Sequence, residues 1–241
     1  MNKVKTILLK FAGPLQSWGT DSHFETRHTD FYPSKSGVIG LITAGLGYGR
    51  DEDEKIQKLN DVNFAVRVDQ QGFLMKDYHI AQKYKNNGEF ERNYVTNRYY
   101  LEDAVFVVAI SHKSDELMDK IEGGLRYPYY QPFMGRRSLP LCADFIIDTT
   151  SKGAVESLKD CPWQAATWYM RRHKKQNKIN LEVYADSDLI DGSRRSLRKD
   201  RVISFSQKER KYGFRYENML NMEVINKLAS DRTEHDVMAN I

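Results

Sequence analysis

Val4–Phe11, VKTILLKF, is a short apolar run rich in branched residues, and it stops at Ala12-Gly13-Pro14, the punctuation expected after a buried β-strand. Pro33-Ser34 then introduces residues 36–47, SGVIGLITAGLG. Here Val38, Ile39, Leu41, Ile42 and Leu46 recur at helical spacing, with small Gly40, Ala44 and Gly45 between them. That pattern predicts a helix packed closely on a sheet. After an acidic turn at Asp51–Glu54 and a short helix ending near Asn60, residues 62–69 (VNFAVRVD) alternate Val62, Phe64, Val66 and Val68 against Asn63, Arg67 and Asp69. This is the two-residue period of a second strand.

The same grammar returns further on. Ala104–Ile110 (AVFVVAI) reads as a buried strand, Ser114 as the N-cap of a helix ending at Gly123-Gly124, and Ala143–Asp148 (ADFIID) as another strand. Two consecutive strand–helix–strand units in about 150 residues predict an α+β fold with a ferredoxin-like arrangement, the order also found in RNA-recognition motifs. Its helices lie on one face of an antiparallel sheet, which leaves the other face free to bind. Residues 1–150 form this domain. Residues 151–241 read as a small β-rich C-terminal subdomain holding Trp163, Trp168 and an Ile179–Ala185 strand. A terminal amphipathic helix over Glu217–Ala229 and a polar tail from Ser230 complete it.

Between the second and third strands lies an insertion, residues 76–100, too long for a simple turn. Asn86-Asn87-Gly88 at its middle is a hairpin-turn signal, so the insertion is expected to project as a two-stranded arm. It carries aromatic and basic side chains together, among them Tyr78, Arg92, Tyr94, Arg98 and Tyr99.

The chain's 241 residues, 40% hydrophobic and 29% charged, suffice for a buried core. A mean hydropathy of -0.65 and the lack of any long apolar run argue against a membrane span, and the N-terminal MNKVKTILLKFAG is too short for a signal peptide. Cys142 and Cys161 have neither CxxC spacing nor the density of a disulfide scaffold, which points to a reducing, cytoplasmic setting. The net charge of +4 hides a local imbalance: Arg171–Arg215 holds 14 Lys/Arg against 6 Asp/Glu, and the remainder sums to -4. Such a concentration reads as a footprint for a polyanion, or as a solvated surface whose charges scatter on folding.

The loop from Arg27-His28-Thr29 to Lys35-Ser36-Gly37 ends at a helix N-terminus, where free N–H groups and the helix dipole favour an anion such as phosphate. It is not a Walker loop, because Ser34 and Thr29 stand where glycines are required. Alternatively Ser34 or Ser36 only caps the helix, and Lys35 is solvated. Gly135-Arg136-Arg137-Ser138 sets two arginines after a glycine between Pro132 and Pro140, suited to bidentate phosphate contact, or forming an ordinary surface turn. The six histidines form no metal-binding pattern, so neither a metal nor a cofactor is expected. Tyr48, His112 and Lys113 are the residues available for metal-independent RNA cleavage, against a plain reading as a loop tyrosine and a polar strand end. A scaffold that binds any polyanion is a third reading.

Taken together, Phe11-Ala12-Gly13-Pro14-Leu15-Gln16-Ser17-Trp18-Gly19, Thr26-Arg27 with Thr29, residues 33–41 (PSKSGVIGL), residues 64–69 (FAVRVD), Asp77-Tyr78-His79 and residues 135–141 (GRRSLPL) form a further pattern. In their order and spacing they resemble the CasD subunits of type I-E CRISPR Cascade complexes, within the RAMP superfamily. The C-terminal third is matched loosely. The resemblance implies a non-catalytic RNA-binding subunit that holds the 5′ handle of crRNA and caps the backbone filament. It also implies contact with the backbone subunit and with the large subunit that recognises target DNA. The ferredoxin-like domain would be the palm and the insertion the thumb. Arg27, Lys35, Ser36, Gly37, Gly135, Arg136, Arg137 and Ser138 are then the expected phosphate or base contacts. Trp18, Tyr94, Arg98 and Tyr99 are secondary candidates, Trp18 being equally readable as core. Relatives in type I-C systems cleave precursor RNA, and Tyr48, His112 and Lys113 include the residue types they use.

Overall fold

The structure, a computed structural model, describes residues 4–20, 25–190 and 195–230. The tail expected beyond Ser230, and Arg194 in the basic run, lie outside the described residues. In chain order the elements are β1 (Lys5–Ala12), β2 (Leu15–Gln16), β3 (Thr26–Arg27), α1 (Lys35–Gly45), α2 (Asp53–Lys58), β4 (Asn63–Gln70), β5 (Phe73–Tyr84) and β6 (Phe90–Glu102). There follow β7 (Val105–His112), α3 (Asp115–Arg126), β8 (Ile146–Thr150), α4 (Ala154–Asp160), α5 (Thr167–Arg172), β9 (Lys178–Asp186), β10 (Ser196–Ser204) and β11 (Lys211–Ile225).

Seven strands form one antiparallel sheet in the order β10-β11-β9-β4-β7-β1-β8. β7 is buried from Val105 to Ser111 because it is paired on both edges and covered on both faces, which is why it reads as a continuous apolar run. A second sheet is the long hairpin β5–β6, the inserted arm, with β2 and β3 added to the base of β6. The segment after residue 150 does not stand apart: β9 pairs with β4 at Ala65–Arg67, so β9, β10 and β11 extend the main sheet.

Both faces of that sheet are covered. On one, Val38, Ile42, Met118 and Ile121 of α1 and α3 pack on Ile7, Leu9, Val66 and Phe106. The other, expected to be free for a ligand, carries α4: Leu8, Ala65, Val107 and Ala109 pack against Ala154, Leu158 and Cys161. A buried arginine secures this cover. Arg67 and Asp69 point to that face and are fully enclosed, paired through Nε–Oδ1 at 2.6 Å and Nη2–Oδ2 at 2.9 Å. Arg67 also donates to the carbonyls of Leu158, Cys161 (2.7 Å) and Pro162 (3.0 Å), the oxygens left unpaired where α4 ends. The polar half of the alternation in β4 is therefore a docking device and not a solvent face.

Two further expectations change. Glu217–Ala229 is not a helix: most of it belongs to β11, which pairs with β9 from Glu217 to Ile225. Its Met222 and Val224 turn inward while Met219 and Ile225 stay exposed, a two-residue period that the neighbouring Leu220 blurs into helical spacing. Ser114 does cap α3, accepting from the Leu117 N–H at 3.2 Å, but Gly123-Gly124 sits inside the helix, which runs on to Arg126. The glycine there serves packing. A Cβ on Gly124 would come within 2.7 Å of Leu46 Cδ2, and one on Gly45 within 2.5 Å of the Gly124 carbonyl, so α1 and α3 touch backbone to backbone.

Replacing Arg67 with Ala strands the Asp69 carboxylate and three carbonyls in a dry site. We expect a loss of about 3–5 kcal/mol in urea unfolding, with the midpoint falling; a loss below about 1 kcal/mol would show that Arg67 does not hold α4.

Candidate nucleic-acid interface

Helix α1 is held at its N-terminus by charges from three strands. Ser34 caps it, its Oγ accepting from the Gly37 N–H at 3.2 Å, while the Lys35 N–H donates to Asp200 Oδ2 at 2.8 Å. The anion that the helix end attracts is thus the protein's own Asp200, fully buried on β10. Lys35, expected to meet phosphate, is instead buried with its Nζ 2.9 Å from Asp186 of β9. Arg215 of β11 ties the same acids together, reaching Asp186 at 3.1 Å, Asp200 at 2.7 Å and Glu217 at 2.9 Å. Tyr32 O–H donates to Glu217 at 2.6 Å, and Arg198 lies 3.1 Å from Asp30 and 4.1 Å over the Tyr32 ring. Part of the basic run that suggested a polyanion footprint is thus neutralised inside the protein.

Above α1 opens a groove of about 1000 Å³, at the upper end of ligand clefts and open along its length. Ser36, Gly37 and Gly40 supply its floor, and the turn Phe133–Arg137 and the Arg27-His28 segment its walls. Gly135 is required in that turn. It has φ +84°, and a Cβ there would lie 1.6 Å from the Ser17 carbonyl oxygen. Ser17 N–H donates to the Met134 carbonyl at 3.2 Å, which fastens the turn beside Trp18.

The turn aims Arg136 across the wall. Its guanidinium lies 4.2 Å over the Tyr100 ring and donates to the Arg27 carbonyl at 3.0 Å. β3 pairs Arg27 with Arg98 of β6, so three guanidinium-bearing residues converge. Among the described residues none of the three has a carboxylate partner, and buried nitrogens of Arg98 and Arg136 have no hydrogen-bond acceptor. Burial draws the Arg136 pKa below the usual arginine value; Tyr100 opposes this, and repulsion from Arg27 and Arg98 adds to it. An arriving anion offsets both the burial and the repulsion.

Of the expected site residues, Trp18, Arg27, Ser36, Gly37, Gly135, Arg136 and Arg137 line this groove, and Ser138 follows in the same exposed turn. Trp18 is core as well as wall, 2% exposed, with its ring 5.1 Å from Phe11 and its N–H donated to Gln16. Tyr99 stacks on His28 at 5.4 Å, just behind the lining. Tyr94 lies out on the arm, under the Arg92 guanidinium at 4.4 Å. Tyr48 reaches the far end of the groove, but neither His112 nor Lys113 lines it. His112 Nδ1 is engaged as acceptor for the Ser114 N–H at 3.0 Å.

The groove has a second cationic end that the sequence reading did not single out. Arg50, from the loop after α1, and Arg210, from the turn between β10 and β11, meet there beside Tyr212. Burial pushes the Tyr212 hydroxyl up, and Arg210 and Arg50 pull it partly back. Tyr130 completes that end, its N–H donated to the Ala44 carbonyl at 3.1 Å. Arg210 was counted in the basic run, whereas nothing local marks Arg50. Among the described residues no group of three His, Cys, Asp or Glu side chains is placed to hold a metal, and no helix is long and apolar enough to cross a membrane.

Comparison with known proteins adds a lineage to this geometry. The family model described as CRISPR-associated protein Cas5 matches residues 6–216. The CRISPR system Cascade subunit CasD of Escherichia coli (strain K12) is 34% identical over 158 residues, which span 59% of this chain and 70% of that one. A chain from a CRISPR RNA-guided surveillance complex superposes with a TM-score of 0.74 at 28% identity, covering 95% of each chain. The crystal structure of a Cas protein gives 0.61 at 26% identity, covering 94% of this chain and 98% of that one.

Two substitutions separate the groove from its foundations. Lys35→Met should cost about 1.5–3 kcal/mol in urea unfolding yet leave the affinity of the folded protein for single-stranded RNA unchanged; a selective loss of affinity would return Lys35 to the binding surface. Gly135→Ala should cost more than about 1 kcal/mol and also weaken RNA binding, since it displaces Arg136 and Arg137 together; unchanged binding in an anisotropy titration would contradict that placement.

Proposed function

This chain belongs to the Cas5 family of CRISPR-associated proteins, and from that membership we propose that it is the non-catalytic RNA-binding subunit of a type I-E Cascade complex. It holds the 5′ handle of crRNA in the groove over α1 and caps one end of the backbone filament, in the cytoplasm. The observation that carries this reading is the convergence of Arg27 and Arg136 on one wall with Arg98 close beside them, none of the three in an ion pair with an acid among the described residues. Phosphodiester oxygens fit that demand, because a guanidinium offers paired donors at their spacing.

The groove suits a single strand in other respects. Its two cationic ends, Arg136 with Arg137 and Arg50 with Arg210, lie either side of a floor of small residues. Successive phosphates can engage both ends while bases lie against Tyr130, Phe133 and Tyr212. β1-α1-β4-β7-α3-β8, with strands ordered β4-β7-β1-β8, gives the ferredoxin-like palm, and β5–β6 the thumb. Register places Leu74, Tyr78, Ile80 and Val95 on one face of that thumb, each 46% to 62% exposed, a larger apolar surface than an isolated arm would keep. The backbone subunit is the partner we assign to it; the large subunit, and through it target DNA, completes the assembly. His112 and Lys113 lie outside the lining of the groove that Tyr48 reaches, which supports a binder over a nuclease.

Changing Arg136 and Arg137 together to Ala should weaken binding of handle RNA and flatten the slope of log K against log salt by roughly 0.7 for each phosphate no longer engaged. Unchanged affinity and slope would remove these arginines from the interface. Incubated with labelled repeat RNA in EDTA, the protein should retard the RNA on a native gel and leave it intact on a denaturing one. A defined cut abolished by Tyr48→Phe or His112→Ala would make it a nuclease, and equal affinity for scrambled RNA would reduce it to a general polyanion binder.

A further inference from the structure

From Cys161 to Leu181 the chain carries Arg171, Arg172, Lys174, Lys175 and Lys178 and no carboxylate. Unlike Arg198 and Arg215, these cations are not drawn into the buried network. Lys178 pairs with Glu223 across β9 and β11 at 2.7 Å. Arg171, Arg172 and Lys175 are exposed, and among the described residues they have no acidic partner. Trp168 precedes Arg171 and Arg172 by three and four positions, which sets the ring and both guanidinium groups on one side of α5.

This short helix is built in, though it buries none of its own residues. At its start the Ala166 N–H donates to Gln70 Oε1 at 3.0 Å, and just before it the Gln164 N–H donates to Asp69 Oδ2 at 2.6 Å. At its end the buried Asn226 amide donates to the carbonyls of Met170 at 3.2 Å and His173 at 3.1 Å. Trp163 lies edge-on to both Tyr169 of the helix and His173 at its end, and Trp168 stands on Tyr169 at 5.6 Å with 47% of its surface exposed. Trp163 and its neighbours pack on Ile179, Leu181 and Val224, the face of the sheet opposite α1. The groove and this platform are therefore on opposite sides of the molecule.

We propose that Trp168, Arg171, Arg172 and Lys175 form a second nucleic-acid-binding surface, and that its ligand is single-stranded. Three cations without acids supply charge complementarity to a phosphodiester chain, and a half-exposed indole held rigidly beside them supplies a stacking face that only an unpaired base can use. A duplex would meet the cations and leave the ring untouched.

The tryptophans make this testable in the full-length protein. Trp18 and Trp163 are 2% and 5% exposed, so solvent-accessible emission reports on Trp168. Single-stranded oligouridylate should quench that emission, and Trp168→Phe should abolish the signal while most of the affinity remains. To remove the groove from the measurement, the titration is run in a background in which both of its cationic ends are lost, with Arg50, Arg136, Arg137 and Arg210 each changed to Ala. There, adding Arg171→Ala, Arg172→Ala and Lys175→Ala should weaken oligouridylate binding on the order of tenfold and lower the salt slope by about two. Circular dichroism and the unfolding midpoint should not move, because all three side chains are exposed. Emission that stays unquenched, affinity and slope unchanged by the triple substitution, or tighter binding of duplex DNA without quenching would each overturn the proposal. None of these outcomes bears on the groove, whose two cationic ends are already removed.

Discussion

The buried charges under the start of α1 are the interaction on which the rest of the structure depends. Lys35, Arg215 and Arg198 neutralise Asp186, Asp200 and Glu217 in a site almost closed to solvent, Arg198 reaches the partly exposed Asp30 as well, and the Asp186 carboxylate also accepts the Phe64 N–H of β4 at 2.9 Å. Burying so many ions is costly unless each finds its partners, and here the partners come from a helix and four strands. The network therefore forms only in the assembled sheet. It fixes where α1 begins, and α1 is the floor of the groove. The site's geometry is set by charges that never meet the ligand.

This explains which parts of the molecule could be read along the chain. β1, β7 and α1 announce themselves because their patterns are local consequences of burial, apolar runs in the strands and helical spacing in α1. The hairpin arm is legible for the same reason, its turn residues and alternating aromatics being properties of neighbours in sequence. The partner of a charged side chain is not a local property. Lys35 beside Ser-Gly at a helix start looks like a phosphate ligand, and only the approach of Asp186 from 151 positions away makes it a structural ion. Arg67 and Asp69 look solvent-facing along the chain, and α4 is what covers them. β11 failed in another way, since Met219, Leu220 and Met222 suit a helix as well as a strand, and pairing with β9 decided between them.

The groove shows the same division. Arg27 and the Gly135–Ser138 turn could be found because each is a compact motif with its own chemistry. Arg50 and Arg210 could not, because their meaning lies in meeting across a cleft from loops 160 positions apart. The basic run separates in the fold into an internal part on β10 and β11 and an external part around α5. A sum of charges along the chain cannot distinguish them.

The strand order has a consequence for how the chain is made. β4 and β7 can pair as soon as both have emerged, but the other edge of β4 waits for β9, more than a hundred positions further on. Until then the nascent sheet ends in an open edge, and Arg67 and Asp69 lie bare because α4 has not yet been synthesised to cover them. Open edges template association between chains, and the two charges delay that by keeping the uncovered face hydrated. A residue pair that is costly to bury in the finished protein is thus a hydrated surface in the unfinished one, until α4 arrives to cover it.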